Sequence, residues 1–460
     1  MARRPVAPRK SLSAANLAAL GAERLADLLI EATAGDANLK RRLKLELAAE
    51  VGPADLAAEI DKRLAALAVS RTRVSWRKRP EMIADLRAHL RAILDRLVGL
   101  DPALALNSLV AWFDLYPGLV ARVKDPKGEL AALFFEAAAE LPKAADALDL
   151  NTAVAVLAEP VETRLSDWGG WIGRAAPEMS PELAAALLRR LVDGRPRPTG
   201  RRALVIRKLA DRAGDVDAWA ASFPDEDQNR PDIGAAIALR LAQAGRASQA
   251  REALDRARPR AAASRLRTLR KGPPPPDERS EAWDLAEIAV LDAEGRGDDA
   301  QSARWAVFER ILDEASLRAF VARLADFDDV EALDRAFALA AAWPDPARGL
   351  AFLMDWPALR EASALILARG GDLKLSAEDT ALWSSRLQAR YPVAALLLVR
   401  ARARALTRLG PGHADEVRSL SMEALELAQS PGAMDGAPSH ADFIDELERL
   451  APTPARRLWR

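Results

Sequence analysis

The chain has no cysteine and only three histidines among its 460 residues. Without cysteine there is no disulfide, no thiolate nucleophile and no zinc site with cysteine ligands. The same absence fits a reducing compartment, so we expect a cytoplasmic protein. None of the histidines is followed by another four residues later, so the zinc-binding helix H-E-x-x-H is also missing: they are His89, His413 and His440.

Charge of one sign is not in excess, since 67 Lys and Arg residues balance 67 Asp and Glu residues. A zero balance argues against a dedicated polyanion binder, although local basic patches remain possible. No apolar run reaches the roughly 20 residues that cross a bilayer, and the basic N-terminus lacks the apolar core of a secretion signal. We therefore expect no membrane partner and interpret residues 1–12 as a mobile basic tail.

Sequence signatures of catalysis and of cofactor binding are missing as well. The glycine-rich stretch GGWIG at 169–173 matches neither the dinucleotide-binding pattern nor the P-loop. No G-x-S-x-G nucleophile elbow is present. We therefore predict no enzymatic activity, no catalytic or metal-binding residue and no cofactor, and an enzyme of unrecognised class is kept only as a third hypothesis.

What the chain does have is helical periodicity along almost its whole length. Asp101, Ser180 and Asp345 each precede a proline, which is typical of a helix N-cap followed by a first-turn proline. From Pro80 to Gly99 the apolar residues recur at steps of three and four, so they form one stripe of a helix: Ile83, Leu86, Leu90, Ile93, Leu94 and Leu97. The pattern predicts an all-α protein.

Two stretches resemble copies of one helix–turn–helix unit, ALRLAQAGRASQAREAL at 238–254 and AVLDAEGRGDDAQSARW at 289–305. Glycine ends a helix in the left-handed conformation, and a small alanine lets the next helix pack back across it. Such pairs are the unit of tetratricopeptide-like arrays, and a plain helical hairpin without an array is the alternative. The predicted turn residues are Gly245, Arg246, Ala250, Gly295, Arg296 and Ala300.

These patterns predict a multi-helical protein in two parts. An N-terminal helical domain is expected at 13–170, followed at 171–460 by an irregular tetratricopeptide-like α-solenoid. The clearest interruption is KGPPPPD at 271–277, because four prolines prevent a helix and favour an extended spacer.

The stretch SRTRVSWRKR at 70–79 concentrates positive charge around one tryptophan. Its cations could neutralise phosphates while the indole stacks on a base, as in nucleic-acid binding. Alternatively, the stretch is a charged turn between helices, with the tryptophan in the core and the cations solvated or paired. Overall neutrality and the single aromatic residue favour the turn. The residues of this patch are Arg71, Arg73, Trp76, Arg77, Lys78 and Arg79.

A second basic run covers residues 251–271 and is followed by an acidic run at 281–300. The first could contribute to nucleic-acid binding. We prefer the interpretation that the two runs pair with each other as neighbouring helices, although each surface ion pair contributes only about 0–1 kcal/mol.

Three segments together resemble an uncharacterised all-helical family of bacterial proteins, a domain of unknown function: residues 24–53, 74–95 and 298–337. The resemblance extends along most of the chain. It implies a helical fold with tetratricopeptide-like character, but no reaction and no catalytic residue. The first segment is also similar to helical regions that accompany SWIM-type zinc fingers, but the finger itself needs cysteine and this chain has none.

The function that this architecture favours is an intracellular scaffold that binds a protein or peptide along a groove of residues 230–430. The alternative is a nucleic-acid-associated protein that uses the basic patches at 71–79 and 251–271. The identity of the partner cannot be read from these patterns.

Overall fold

The computed structural model describes residues 11–258, 280–434 and 436–451, and they form an all-helical protein. Among these residues the only β-type pairing is one isolated parallel bridge between Val74 and Val123. The predicted all-α class is confirmed. The tetratricopeptide-like and solenoid character stays a prediction.

The chain divides into two compact units, Met1–Pro275 (unit 1) and Pro276–Arg460 (unit 2). The division predicted from sequence, 13–170 and 171–460, stays a prediction; residue 170 lies within a helix, Leu165–Ala175. The proline-rich segment 271–277, most of the basic run 251–271 and most of the N-terminal tail lie outside the described residues.

Unit 1 consists of helices joined mostly by short turns. A π-helical turn, Ala92–Leu97, joins two of them, and 3-10 turns lie at Ala138–Glu140 and Ala176–Glu178. The helices are α1 Ala14–Ala18, α2 Ala22–Thr33, α3 Ala37–Val51, α4 Pro53–Val69, α5 Arg79–Arg91, α6 Val98–Leu100, α7 Pro102–Phe113, α8 Tyr116–Arg122, α9 Glu129–Ala137, α10 Leu141–Asp146, α11 Leu150–Thr163, α12 Leu165–Ala175, α13 Pro181–Val192, α14 Gly200–Ala213, α15 Val216–Ala221, α16 Asp225–Gln228, α17 Pro231–Gln243 and α18 Ala247–Arg256.

The predicted helix signals act as expected. Asp101 accepts hydrogen bonds from the amides of Ala103 and Leu104, and the Ser180 hydroxyl accepts one from Leu183, so both begin their helices as N-caps. The apolar stripe predicted from Pro80 onwards is buried except for the half-buried Leu94. Its helix runs one residue past the predicted end, to Leu100, through the π-helical turn.

An aromatic cluster forms the centre of unit 1. Trp112 stacks on Phe134 with ring centroids 4.0 Å apart, and Phe113 contacts Trp168 at 5.7 Å. The segment Pro102–Arg122 that supplies Trp112 is, within the described residues, the one segment apolar and long enough for a membrane span. A turn at Asp114 interrupts this segment, and 44% of its most apolar window is buried inside the protein, so its length and composition are weak evidence for a membrane span.

Unit 2 has the same local construction. Asp345 caps its helix by accepting a hydrogen bond from the amide of Ala347, as predicted, and the core is built around Phe308, Leu350 and Leu353. 3-10 turns lie at Gly370–Asp372 and Pro411–His413. The helices are α19 Glu281–Ala293, α20 Gly297–Ile311, α21 Glu314–Val321, α22 Asp328–Ala341, α23 Pro346–Asp355, α24 Leu359–Arg369, α25 Ala377–Leu387, α26 Pro392–Leu409, α27 Ala414–Ala428 and α28 His440–Leu450.

The close packing of α17 on α18 predicts the effect of one methyl group. A Cβ atom added at Gly234 would fall far inside contact distance of the Ala257 side chain, whereas the space at Gly170 in α12 is open. Gly234→Ala should therefore lower the free energy of unfolding by about 1–3 kcal/mol through overpacking. The matched Gly170→Ala should raise it by about 0.5–1 kcal/mol, because alanine favours the helix. Urea denaturation of both variants tests this, and equal effects would contradict the described contact.

Candidate functional site

The predicted basic patch lies in the connection from α4 to α5, and backbone hydrogen bonds fix that connection. The amide of Val74 donates to the Arg122 carbonyl at 2.9 Å, and the amide of Lys124 donates to the Val74 carbonyl at 3.2 Å. The side chains of Val74 and Val123 are both buried. The middle of the connection is therefore held against the chain that follows α8.

The start of the connection is held by the Arg122 side chain. Its guanidinium donates to the carbonyls of Leu67 at 2.9 Å and Thr72 at 3.2 Å. Partial burial lowers the pKa of Arg122, and the positive charge of Arg63 lowers it further. Arg122 thus satisfies one carbonyl group in the last turn of α4, that of Leu67, and one in the connection itself, that of Thr72.

Arg79 holds the end of the connection and is the one buried member of the patch, with 7% exposure. Its guanidinium donates to the Glu129 carboxylate at 3.1 Å and to the Lys124 carbonyl at 3.3 Å, and lies 3.7 Å from Asp125. Asp125 in turn accepts hydrogen bonds from the amides at the start of α9. Arg79 therefore ties α5 to α9.

The other members of the patch are exposed and form what we call the Trp76 surface: Arg71, Arg73, Trp76, Arg77 and Lys78. Trp76 is 58% exposed, and the Arg77 guanidinium lies 5.1 Å from the centre of its ring. None of the four cations makes an ion pair with any residue that the structure describes.

The expectation that Trp76 lies in the core is wrong. Val74 takes the buried position in this stretch, because the backbone bridge to Val123 holds it inward. The amides of Lys78 and Arg79 then close a turn on the Ser75 carbonyl, which leaves Trp76 at the surface. An indole and four cations that make no ion pair with a described residue thus stand on a backbone that hydrogen bonds hold in place.

The predicted repeat turns have the same backbone structure in both hairpins. Gly245 and Gly295 are left-handed, with φ of 73° and 74°. The Arg246 amide donates to the Leu241 carbonyl at 2.9 Å, and the Arg296 amide donates to Leu291 at 3.0 Å. This bond from the second residue after the C-cap is the mark of a Schellman motif.

The remaining turn residues have structural contacts. Ala250 and Ala300 are fully buried in the first turn of the second helix of each hairpin, and that helix packs against the first. Arg246 makes a bidentate pair with Asp217 at 2.9 Å, whereas Arg296 pairs with Asp299 and Glu294, at 2.8 Å and 3.4 Å. The first hairpin belongs to unit 1 and the second to unit 2. The arginine of each turn pairs with acidic residues of its own unit.

The acidic run at 281–300 has partners inside unit 2. Asp284 pairs with Arg310, and Asp292 pairs with Arg304. In the basic run, Arg258 pairs with Asp255 at 3.1 Å, and the residues from 259 onwards lie outside the described part of the chain. The predicted pairing of the two runs with each other stays a prediction.

A second basic cluster, between α3 and α4, was not predicted. It surrounds the carboxylate of Asp85 in α5, which is 2% exposed and receives hydrogen bonds from Arg41 and Arg63 at 2.6–2.8 Å. The spacing of Lys40, Arg41 and Lys44 puts these cations on one face of α3, and this signal is readable in the sequence. That this face meets Arg63 of α4 around Asp85 is not readable.

The contacts of Arg79 predict that it contributes to stability and that its neighbour Arg77 does not. Arg79→Gln leaves Asp125 and Glu129 without their partner and should cost about 3 kcal/mol. Arg77→Gln changes an exposed side chain and should cost no more than about 0.5 kcal/mol. Thermal and urea denaturation of the full chain compares the two. A destabilisation by Arg77→Gln that equals that of Arg79→Gln would contradict the described geometry.

Comparison with known proteins places the chain in a family. A family model described as a family of unknown function (DUF6880) matches residues 7–198 and 192–450. No curated protein and no solved structure matches the chain. The resemblance to an uncharacterised domain family is thereby confirmed, and it brings no catalytic residue with it. Since the two matches cover nearly the whole length, the chain belongs to this family of unknown function.

Proposed function

We propose that the chain is a cytoplasmic binding scaffold without enzymatic activity, and that it holds an acidic segment of a protein partner on the Trp76 surface. The observation that carries the proposal is the exposure of Trp76, at 58%, in a connection whose backbone is hydrogen-bonded on both sides of it. A partner that covers this indole would remove its apolar surface from water, which favours binding.

The composition of this surface is that of a protein-binding hot spot. Tryptophan and arginine are the side chains that most often dominate the free energy of binding at protein interfaces. A backbone already fixed by Val74 and Arg79 has little conformational entropy to lose on binding. Four cations without ion-pair partners among the described residues select an acidic partner and speed its association.

A protein- or peptide-binding contact within residues 230–430 remains part of the scaffold proposal as a second contact. The hairpin α17–α18 in unit 1 and the hairpin α19–α20 in unit 2 each support it separately, because paired helices with such a turn are the units that carry binding surfaces in helical arrays.

Binding of single-stranded nucleic acid is the second candidate. The same exposed indole favours it, since bases stack on aromatic side chains while neighbouring cations contact the phosphates. The zero net charge of the chain weighs against it. Phosphate contacts weaken steeply as the salt concentration rises. A bound nucleic acid should therefore be lost at higher salt, whereas a bound protein partner should remain.

The test is a pull-down from native lysate with the immobilised full chain, at about 50 mM and about 200 mM salt. Wild type is compared with Trp76→Ala and with Phe135→Ala. Phe135 is the matched control because it is 52% exposed and has the Arg174 guanidinium 4.7 Å from its ring. We expect one acidic protein to remain at the higher salt with wild type and Phe135→Ala. Trp76→Ala should reduce its recovery about tenfold or more, as expected for loss of a hot-spot residue.

The outcomes separate the two candidates. Nuclease-sensitive material that binds at low salt, leaves at the higher salt and depends on Arg77 in an Arg77→Glu variant would establish nucleic-acid binding instead. Identical recovery by Trp76→Ala and Phe135→Ala for every retained molecule would contradict both candidates.

A further inference from the structure

The basic cluster between α3 and α4 surrounds a cavity of about 270 Å³, here named the α3–α4 pocket. Lys40, Arg41 and Lys44 of α3 line it from one side, and Lys62 and Arg63 of α4 from the other. Lys40 and Lys44 are four residues apart and Arg41 and Lys44 are three apart, so these cations share one face of α3. The adjacent Lys62 and Arg63 both border the pocket from α4. Two packed helices therefore present their positive charges to the same space.

Asp85 positions the two arginines at the base of this pocket. One carboxylate oxygen accepts from Nε of Arg41 at 2.8 Å, and the other accepts from Nε and Nη2 of Arg63 at 2.8 Å and 2.6 Å. The Nη1 group of each arginine makes no hydrogen bond with a described residue. Each guanidinium group therefore uses its Nε and Nη2 edge for contacts within the protein. The N–H groups of Nη1 remain available to a ligand.

Positive charge exceeds negative charge in this pocket. Glu59, 3.8 Å from Lys62, is the acidic residue among those lining it, and Asp85 already holds both arginines. Burial lowers the pKa of the His89 imidazole, so at neutral pH this lining residue adds no charge. Cations that face each other across two helices repel one another, and a bound anion would relieve that repulsion.

We propose that the α3–α4 pocket binds a small soluble anion that carries phosphate groups, with Arg41 and Arg63 contacting the phosphate oxygens. The planar guanidinium matches phosphate geometry, and the three lysines supply the charge that a multiply charged anion requires. A volume of about 270 Å³ lies below the roughly 300–1,000 Å³ of drug-sized ligand sites, which suits a diphosphate group rather than a whole dinucleotide.

The pocket and the Trp76 surface use different residues, so this inference stands or fails separately from the proposed function. The lysines are the residues to change, because Lys40, Lys44 and Lys62 are exposed and their replacement leaves Asp85 and its arginines in place. Lys208 of α14, also exposed and in unit 1, is the matched control.

The experiment is isothermal titration calorimetry of the full chain with inorganic pyrophosphate, with sulfate at the same ionic strength as the comparison anion. We expect pyrophosphate to bind more tightly than sulfate. Lys40→Gln, Lys44→Gln and Lys62→Gln should each weaken pyrophosphate binding about tenfold, as expected when one charge-assisted hydrogen bond is lost. Lys208→Gln and Trp76→Ala should bind as wild type does.

Four results would overturn the proposal. These are no binding of pyrophosphate at about 5 mM, equal affinity for sulfate, a lysine triple variant that binds as Lys208→Gln does, and loss of binding in Trp76→Ala. Vesicles that carry a phosphorylated inositol lipid distinguish the source of the phosphate, and binding to these vesicles without binding to pyrophosphate would exclude a soluble ligand. A melting curve of each variant establishes that the lysine variants are folded.

Discussion

A single arginine side chain determines how the connection between α4 and α5 is presented to solvent. Arg79 lies at the start of α5, and its guanidinium is buried against Glu129, Asp125 and the Lys124 carbonyl. A buried cation is stable only when such partners surround it, so α5 and α9 are held in one relative position. The bridge between Val74 and Val123 lies next to this ion pair, as do the contacts of Arg122. Both further restrain the connection between α4 and α5. Because both ends of the connection are fixed, the residues between them lie at the surface in a restricted range of backbone conformations.

The two basic sites of unit 1 share one physical principle. In each, carboxylates hold arginine side chains in place, while some of the neighbouring cations, such as Arg77 and Lys44, make no ion pair with a described residue. Asp125 and Glu129 do this for Arg79, and Asp85 does it for Arg41 and Arg63. A chain with zero net charge can therefore still carry local positive surfaces, because its acidic residues are placed elsewhere or are used inside the fold. Net charge alone is a weak guide to what such a protein binds.

Local signals in the sequence predicted local structure well. The N-caps Asp101, Ser180 and Asp345 act within three residues of their own position, and the glycine turns at 245 and 295 act within six. Arg77 and Arg79 could not be told apart, because their difference arises from carboxylates some 50 residues later in the chain. Trp76 was misplaced for the same reason, since the bridge that turns Val74 inward involves Val123. The α3–α4 pocket required knowledge of which helix faces meet, which periodicity does not supply.

Hydrogen bonds and the buried Arg79 fix the backbone around Trp76. Hydrogen–deuterium exchange with residue-level mass spectrometry tests this directly on wild type and Arg79→Gln. In wild type, the amides of Val74 and Lys124 should exchange slowly, because both donate to backbone carbonyls, whereas those of Trp76 and Arg77 should exchange fast. In Arg79→Gln, the protection of Val74 and Lys124 should fall. Fast exchange of Val74 and Lys124 in wild type, or their unchanged protection in Arg79→Gln, would contradict the account.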